Sequence, residues 1–328
     1  MVRKKYSSRP RVGVVDLGTN SVRFAIYELQ NKRRPTCLYK KKLMLRPGQG
    51  VYRTGKLKSG TINKLAKAFN NFHKRSLRLK VGETRAVATS ALREAKNAKV
   101  LIRRVKKNTG IVINVISGRQ EAHLIANGVI HFDPPRTDRA VLIDIGGGST
   151  ELSLCHNGKR KASLSLPLGA LRLQQLYLPE TSSRIDLRLA GVTQLRKAVQ
   201  VILRQQLRSW PARSGALALG SSGTIRAVAR MLNRQRLPRP WETKAATAKP
   251  RLKFTRAELK GLVERMLPMS RVQLLRLPGM ERRRLDIILT GAILLLEILE
   301  FLDVAKVQTT NHALRDGILL GFKPRKKP

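Results

Sequence analysis

The feature that most constrains this chain is a short pattern that occurs twice, 128 residues apart. Each copy reads as an apolar strand, a tight Asp-apolar-Gly-x-x-Ser turn, and a second strand in which apolar and polar residues alternate. The turns run from Asp16 to Ser21 and from Asp144 to Ser149. A short motif can recur by chance, but the matching strand-turn-strand context favours an internal duplication. The sequence therefore predicts an α/β protein with two related lobes.

The rest of the chain alternates between helical and strand patterns. Helices are predicted at 62–72, 94–107, 120–130, 225–232, 256–266, 285–302 and 313–320, a mostly helical segment at 169–210, and short strands at 85–89, 111–116 and 216–219. Residues 238–250 read as an exposed loop. The break at Asp133-Pro134-Pro135 predicts a boundary between an N-terminal lobe of residues 1–132 and a C-terminal lobe of residues 133–312. The basic tail 323–328 is expected to fray.

The chain is strongly basic, with 67 Lys and Arg against 20 Asp and Glu and a formal net charge of +47. Such an excess attracts polyanions, including nucleic acid, polyphosphate and anionic membrane. The positive charges are spread over nearly the whole length. A general compositional bias therefore explains them as well as a selected polyanion surface does.

Composition and patterning exclude several classes of protein. The two cysteines provide no disulfide framework, which is typical of a reducing compartment, and the five histidines lack zinc-ligand spacing. The N-terminus does not read as a signal peptide, and acidic residues interrupt the apolar run at 287–296 before it reaches bilayer length. A cytoplasmic protein that does not cross a membrane is expected.

Three Gly-rich turns suit the binding of an anion. Glycine lets backbone N–H groups approach phosphate oxygens closely, although a single such turn is more often structural. The third turn, Gly220 to Thr224, leads from a strand into a helix, with Thr224 placed to cap it, so the helix N-terminus favours an anion at the same point. It lacks the Walker pattern, which excludes a P-loop.

Carboxylates beside these turns point to phosphate chemistry assisted by a metal. Asp16 and Asp144 end apolar strands, and Mg²⁺ commonly binds one or two carboxylates together with phosphate oxygens and water. Either aspartate could instead hydrogen-bond its own turn. Glu121 and Glu151 could each deprotonate an attacking water, or could be a first-turn helix acid and a solvent-facing strand residue, respectively. Arg93 lies where a strand gives way to a helix and could grip a phosphate.

Taken in chain order, these motifs resemble the exopolyphosphatase and guanosine pentaphosphate phosphohydrolase (Ppx/GppA) family. The resemblance spans about Val12 to Gly321. It rests on Asp16 to Ser21, Arg85 to Arg93, Ile116-Ser117-Gly118 with Glu121-Ala122, Asp144 to Leu152, Gly220 to Thr224, Arg284 with Asp286, and Ala313 to Gly317. It implies a duplicated actin-like (ribonuclease H-like) fold of the actin, sugar kinase and Hsp70 superfamily, with a cleft between the lobes and the helix near 313–321 packed back on the first lobe.

The resemblance also implies a role for each matching residue. The catalytic glutamate falls on Glu121, a second catalytic carboxylate on Glu151, and the metal-linked aspartate on Asp144, with Asp16 as a further metal candidate and Mg²⁺ or Mn²⁺ as the cofactor. Phosphate binding falls on Thr19, Asn20, Ser21, Arg93, Gly146, Gly147, Gly148, Ser149, Gly220, Ser221, Ser222, Gly223 and Thr224. The chain departs from the family pattern at Gln120, where a second glutamate is usual. It resembles the short family form, and members of the family are often dimers, so a homodimer is a candidate assembly.

The resulting hypothesis is an exopolyphosphatase that releases orthophosphate from inorganic polyphosphate in a metal-dependent reaction. Guanosine pentaphosphate (pppGpp) is the alternative substrate. The rival classes are an actin-like or sugar-kinase-like ATPase, a polyanion-binding protein of weak catalysis, which Gln120 and the charge suggest, and an RNA-associated protein, for which no recognition module is evident. Nonspecific binding of nucleic acid through the positive charge is expected under any of these.

Overall fold

Both repeated hairpins are present in the computed structural model, which describes residues 9–30, 34–178, 185–208, 210, 216–233 and 251–322. The described residues form two units. The first comprises residues of Met1–Val51, Gly55–Ile116 and Ile318–Pro328, and the second comprises Tyr52–Thr54 and Ser117–Gly317. The expected loop at 238–250 and the tail at 323–328 lie outside the described residues.

The first unit is built on a five-stranded sheet in the order β3-β2-β1-β4-β5. Its elements are β1 (Arg11–Leu17), β2 (Val22–Glu28), β3 (Thr36–Leu43), α2 (Ser59–Arg78), β4 (Glu83–Ala88), α3 (Ser90–Glu94), α4 (Ala98–Thr109) and β5 (Ile113–Val115). The single-turn α1 (Val51–Thr54) precedes α2 in the chain, but its residues Tyr52–Thr54 belong to the second unit. Strands β1, β2 and β3 form an antiparallel meander, and β4 and β5 join in parallel. The core lies where the apolar faces of α2 and α4 meet the sheet, around Phe24, Phe69 and Phe72.

The second unit has a six-stranded sheet in the order β10-β11-β9-β6-β7-β8. Its elements are α5 (Gly118–Phe132), β6 (Arg139–Ile145), β7 (Thr150–His156), β8 (Lys159–Leu166), α6 (Ala170–Tyr177), α7 (Ile185–Leu207), β9 (Leu217–Gly220), α8 (Gly223–Asn233), β10 (Lys253–Thr255), α9 (Arg256–Met266), α10 (Arg271–Arg276), α11 (Ile288–Phe301), β11 (Lys306–Thr309) and α12 (Leu314–Leu320). The most apolar helix, α11, is buried over nearly its whole length, because α6, α7, α8 and α9 all pack on it.

The two sheets share one topology, which supports the predicted duplication. In each, three antiparallel strands (β1 to β3, and β6 to β8) are followed by two strands that join in parallel (β4 and β5, and β9 and β11). The hairpin turns also close in the same way. The amide of Gly18 donates to the carbonyl of Ser21 at 3.1 Å, and the amide of Gly146 donates to that of Ser149 at 2.9 Å. The fold is therefore a duplicated α/β fold of the actin-like type.

The division between the units lies after Ile116, and not at the Pro-rich break at 133–135. The reason is packing, because α5 lies against β7 and β8 and so belongs to the second sheet. Helix α12 is also divided between the two units. Gly317 closely approaches Leu124 of α5, whereas residues from Ile318 onward belong to the first unit, where the Arg85 guanidinium lies 4.3 Å from the centre of the Phe322 ring.

The basic helix predicted at 94–107 is α4, which begins later than predicted, at Ala98, after a separate short helix α3 that ends at Glu94. The chain between them is held in a non-helical form by long-range hydrogen bonds. The side chain of Asn97 accepts from the amide of Leu57 at 2.8 Å and donates to its carbonyl at 2.9 Å, and the amide of Lys96 donates to Gly55 at 2.9 Å. Such contacts have no periodic signature in the sequence. Among the described residues, no helix is long and apolar enough to cross a bilayer.

Candidate active site

The second Gly-rich turn has its carbonyl groups bound from one side. Amides at the start of α6 donate to the carbonyls of Gly146 and Gly147, at 3.1 Å from Ala170 and at 2.8 Å from Leu171. The guanidinium of Arg172 donates to the carbonyl of Gly148 at 2.7 Å. In a trans peptide the C=O and the following N–H point in opposite directions. The amides that follow these carbonyls therefore point away from α6, as an anion-binding nest requires.

The first Gly-rich turn repeats this arrangement within its own unit. The amide of Gly48 donates to the carbonyl of Thr19 at 2.8 Å, and the amide of Arg46 donates to that of Asn20 at 3.1 Å. The N–H groups of Asn20 and Ser21 consequently point to the opposite side of the turn. In both hairpins, backbone N–H groups of the turn thus point outward, because a segment later in the chain binds the carbonyl groups on the other side. This segment is residues 46–48 for the first turn and the start of α6 for the second.

The third turn leads from β9 into α8 as predicted, but its cap is different. The hydroxyl of Ser222 accepts from the amide of Ile225 at 3.1 Å, so Ser222 caps the helix in place of Thr224, which lies inside the first turn. A residue at Ncap is better placed than one within the helix to reach the free N–H groups. The Arg284 guanidinium lies directly against Gly223, where any larger residue would displace it. The start of α8 therefore presents helix amides beside a buried guanidinium.

Three carboxylates of the second unit lie close together. Asp144, at the end of β6, is directly opposite Glu151 on β7, and Glu121 lies in the first turn of α5. Burial raises the pKa of Glu151 well above its ordinary value, and the neighbouring charges of Glu121 and Asp144 raise it further. Hydrogen bonds from the hydroxyls of Ser165, at 2.8 Å, and Ser149 act in the other direction and stabilise the ionised form.

The equivalent carboxylate of the first unit has a different neighbour. Asp16 is opposite Arg23, and the two form a salt bridge at 2.8 Å, so this carboxylate already has a cationic partner. Arg93, also in the first unit, is half-buried at the end of α3 and donates to the carbonyl of Ile116 at 2.9 Å. The predicted site residues are therefore distributed over both units. Glu121, Asp144, Glu151 and the second and third turns belong to the second.

The donor set of the second unit fits a hard divalent cation completed by other oxygens. Among the described residues, no group of three or more Asp, Glu, His or Cys side chains could by itself hold a metal ion. Asp144 is half-buried and also accepts a hydrogen bond from the hydroxyl of Ser221. A cation beside Asp144 would offset the repulsion that Glu151 experiences. Mg²⁺ is suited to such a site, because it keeps water and substrate phosphate oxygens among its ligands.

Two residues of this site, Ser165 and Arg172, were not predicted from the sequence. Ser165 reaches Glu151 because β8 pairs with β7 in a register that places the two opposite each other. Arg172 reaches the carbonyl of Gly148 from α6. Ser221 was predicted to bind phosphate in the third turn, and in the structure its hydroxyl donates to Asp144. Only the alternation of serines in β8 offered a signal, and that signal needs the strand pairing to be interpreted.

A duplicated α/β fold with outward-directed amides at both hairpins, and a carboxylate cluster with two buried glutamates beside one of them, defines a class of phosphate-processing enzymes. The chain belongs to the Ppx/GppA phosphatase family, whose model matches residues 25–326.

Relatives of known name and structure support this assignment over nearly the whole chain. Exopolyphosphatase 1 of Mycobacterium tuberculosis (strain ATCC 25618 / H37Rv) is 29% identical over 313 residues, which cover 94% of this chain and 87% of that protein. An exopolyphosphatase from Cytophaga hutchinsonii matches with a TM-score of 0.80 at 25% identity, over 94% of this chain and 96% of that one. The Aquifex aeolicus member of the family has the same fold, with a TM-score of 0.74 at 24% identity over 95% of this chain and 96% of that one.

Proposed function

We propose that this protein is an exopolyphosphatase, which hydrolyses the terminal phosphoanhydride bond of inorganic polyphosphate and releases orthophosphate. The observation that carries the proposal is the continuity of the second hairpin. Asp144, the outward amides of Gly147 and Gly148, and Glu151 follow one another within eight residues of β6, its turn and β7. The backbone N–H groups that can bind phosphate and the ionisable carboxylates are thus part of one rigid strand pair. The relatives named exopolyphosphatase support the choice of substrate.

Each residue has a distinct role in the proposed hydrolysis. Glu121 accepts a proton from the attacking water, whose oxygen forms a bond to the terminal phosphorus as the bridging P–O bond breaks. The products are orthophosphate and a chain shorter by one phosphate. The amides of the second and third turns stabilise the charge on the transferred group, and they need no reorganisation because the carbonyl contacts already hold them. Glu151 in its ionised form orients the attacking water, and hydrogen bonds from the hydroxyls of Ser165 and Ser149 stabilise this ionised form.

Asp144 would hold the proposed Mg²⁺ or Mn²⁺, and Ser221 would keep its carboxylate in place. The cation would supply charge neutralisation on the phosphate oxygens. Asp16 is the weaker candidate of the two aspartates, because its salt bridge with Arg23 already satisfies its charge.

The strongly basic composition favours a long polyanion over a nucleotide as substrate. Guanosine pentaphosphate offers the same terminal phosphoanhydride bond and is the second candidate, in keeping with the family model. A rate of ATP hydrolysis far below that of polyphosphate hydrolysis would distinguish this chain from the ATPases of the same superfamily.

The deciding experiment measures orthophosphate release from long-chain polyphosphate, pppGpp and ATP in parallel, with Mg²⁺ and with EDTA. Nuclease-treated wild type is compared with Glu121→Gln and with a control, Glu264→Gln, which removes an exposed acid of α9. We expect metal-dependent release from polyphosphate that Glu121→Gln lowers by at least ~100-fold, as for loss of a general base, and that Glu264→Gln leaves unchanged.

Full release by Glu121→Gln would contradict the proposed mechanism. A preference for pppGpp would move the assignment to the nucleotide substrate. No release from any of the three substrates would leave binding of polyanions as the function.

A further inference from the structure

The positive charge is unevenly divided between the two parts of the chain. Residues 1–116 contain 30 Lys and Arg but only four Asp and Glu, whereas residues 117–328 contain 37 and 16. A uniform compositional bias would give similar ratios in both parts. The excess is thus concentrated in the N-terminal part, which supplies nearly all of the first unit. The question is where on the surface of the first unit these charges lie.

Two helices of the first unit carry much of this excess on one surface. Helices α2 and α4 contain ten Lys and Arg and no acidic residue. All ten basic side chains are exposed: Lys64, Lys67, Lys74, Arg75, Arg78, Lys99, Arg103, Arg104, Lys106 and Lys107. Among the described residues, none of the ten forms an ion pair with a carboxylate. We refer to these side chains as the α2–α4 surface.

The α2–α4 surface is an ordered part of the fold. The two helices pack against each other, and Arg104 on α4 donates to the side chain of Asn63 on α2 at 2.5 Å. Their opposite faces bury apolar residues in the core of the first unit. The surface therefore consists of two rows of positive charge on two rigid helices. On α2 the row runs from Lys64 to Arg78 at helical spacing, and on α4 it runs from Lys99 to Lys106.

The general spacing of two packed helices is of the same order as the spacing of the two strands of a nucleic acid duplex. Packed helices have axes about 8–10 Å apart, which is close to the ~12 Å width of the major groove of B-form DNA. The row from Lys64 to Arg78 is about 21 Å long at ~1.5 Å per residue, which corresponds to about six phosphates of one strand at ~3.4 Å each.

The composition of the surface also determines what it can recognise. The two phenylalanines of α2 are buried, α4 has no aromatic residue, and the remaining ring of α2, His73, is half-buried. The two helices therefore offer no exposed Phe, Tyr or Trp on which unpaired bases could stack. Lys and Arg at helical spacing contact phosphates, which position a duplex without reading its sequence. We propose that the α2–α4 surface binds the backbone of double-stranded DNA without sequence specificity, a function separate from the hydrolysis assigned to the second unit.

The test measures binding of a fluorescein-labelled 24-base-pair duplex by fluorescence anisotropy, in EDTA, over a series of salt concentrations. The variant Lys67→Gln, Lys74→Gln, Arg103→Gln, Lys106→Gln removes four charges from the surface. A matched control, Lys197→Gln, Arg204→Gln, Arg208→Gln, Lys260→Gln, removes four exposed charges from the second unit. The two variants have the same net charge. Any difference between them therefore reports the place of binding and not the total charge.

We expect the α2–α4 variant to bind the duplex at least ~30-fold more weakly at about 0.1 M salt, and the slope of log K against log salt to fall by about three to four. The control should change the affinity by less than ~3-fold. Melting temperatures of both variants should equal that of the wild type, because all eight side chains are exposed.

Equal weakening of duplex binding by the two variants would overturn the proposal. Three parallel arms test the choice of ligand: a single strand of the same sequence, long-chain polyphosphate as competitor, and phosphatidylserine vesicles. The duplex assignment is wrong if the α2–α4 variant loses binding to one of these while its duplex binding stays at the wild-type level. It is also wrong if the single strand binds as tightly as the duplex and depends equally on these four side chains.

Discussion

Asp144 and Glu151 are directly opposite each other on neighbouring strands, at the positions that Asp16 and Arg23 occupy in the first unit. The first unit therefore has a salt bridge where the second unit has two carboxylates. Like charges directly opposite on a sheet are destabilising. A chain that carries such a pair at a buried position loses stability unless a ligand or cation compensates, and this relationship leads to the predictions below.

Replacement of Glu151 by Gln should stabilise the protein while it abolishes phosphate release. Because the folded-state pKa of Glu151 is raised, the folded protein holds this proton to higher pH than the unfolded chain does. The stability of the folded protein therefore falls as the pH rises from the unfolded-state pKa of about 4.3 to the folded-state pKa. The loss is ~1.4 kcal/mol for each unit by which the two pKa values differ. In EDTA at pH 8, Glu151→Gln should raise the free energy of unfolding, and this gain should disappear below about pH 4, where Glu151 is protonated in both states. Urea denaturation at the two pH values measures the difference.

The control for this experiment is the exposed Glu264→Gln variant, which should leave the free energy of unfolding unchanged between pH 4 and pH 8. A Glu151→Gln variant that is less stable than wild type at pH 8 would show that the repulsion from Asp144 and Glu121 is not the dominant effect.

Ser165→Ala should shift the pH dependence of phosphate release. The Ser165 hydroxyl stabilises the ionised form of Glu151, so its loss raises the pKa of Glu151 further. Because the ionised form orients the water in the proposed mechanism, the acidic limb of kcat/KM against pH should move to higher pH in the variant. Ser163→Ala is the matched control, because Ser163 lies two residues earlier on β8 and bonds Ser153 at 2.7 Å. An acidic limb that moves equally in both variants would refute the assignment of Ser165.

Ser221→Ala should lower activity without unfolding the chain. Ser221 reaches Asp144 from 77 residues away, and loss of such a supporting hydrogen bond typically costs 10- to 100-fold in activity or metal affinity. We expect kcat to fall ~10- to 100-fold and the Mg²⁺ concentration for half-maximal activity to rise. Ser222→Ala should instead lower stability by about 1 kcal/mol, because it removes a helix cap, and should lower kcat less than Ser221→Ala does. The two substitutions are to be compared by kinetics and thermal melting.

Gly169→Ala should impair the second Gly-rich turn. A Cβ at Gly169 would collide with the backbone of Gly147 and Gly148, and backbone cannot move aside as a side chain end can. We expect a loss of at least ~2 kcal/mol in stability, as for other steric insertions, and a rise in the KM for polyphosphate. Gly261→Ala is the control, because this glycine inside α9 has open space around it and should gain about 0.5–1 kcal/mol. Equal melting temperatures for the two variants would contradict the steric argument.

Local chemistry explains why much of the fold could be predicted from the sequence. Both hairpins, most helices and the duplication follow from hydrophobic periodicity and from Gly-rich turns, which act over a few residues. Asp144, Glu151 and Gly147 could be named as site candidates because they lie within such a turn or at its ends. The break between α3 and α4 could not, since it depends on the contact of Asn97 with Leu57.

The sequence by itself determined the type and order of the elements and the ends of the strands at which chemistry can occur. Tertiary structure alone decided which side chains face these ends. Strand register placed Ser165 opposite Glu151 and Arg23 opposite Asp16, and the packing of α6 turned the amides of the second hairpin outward. The physical reason is that pairing and packing join residues far apart in the chain, whereas the patterns readable from sequence extend over one or two turns of helix or a single strand.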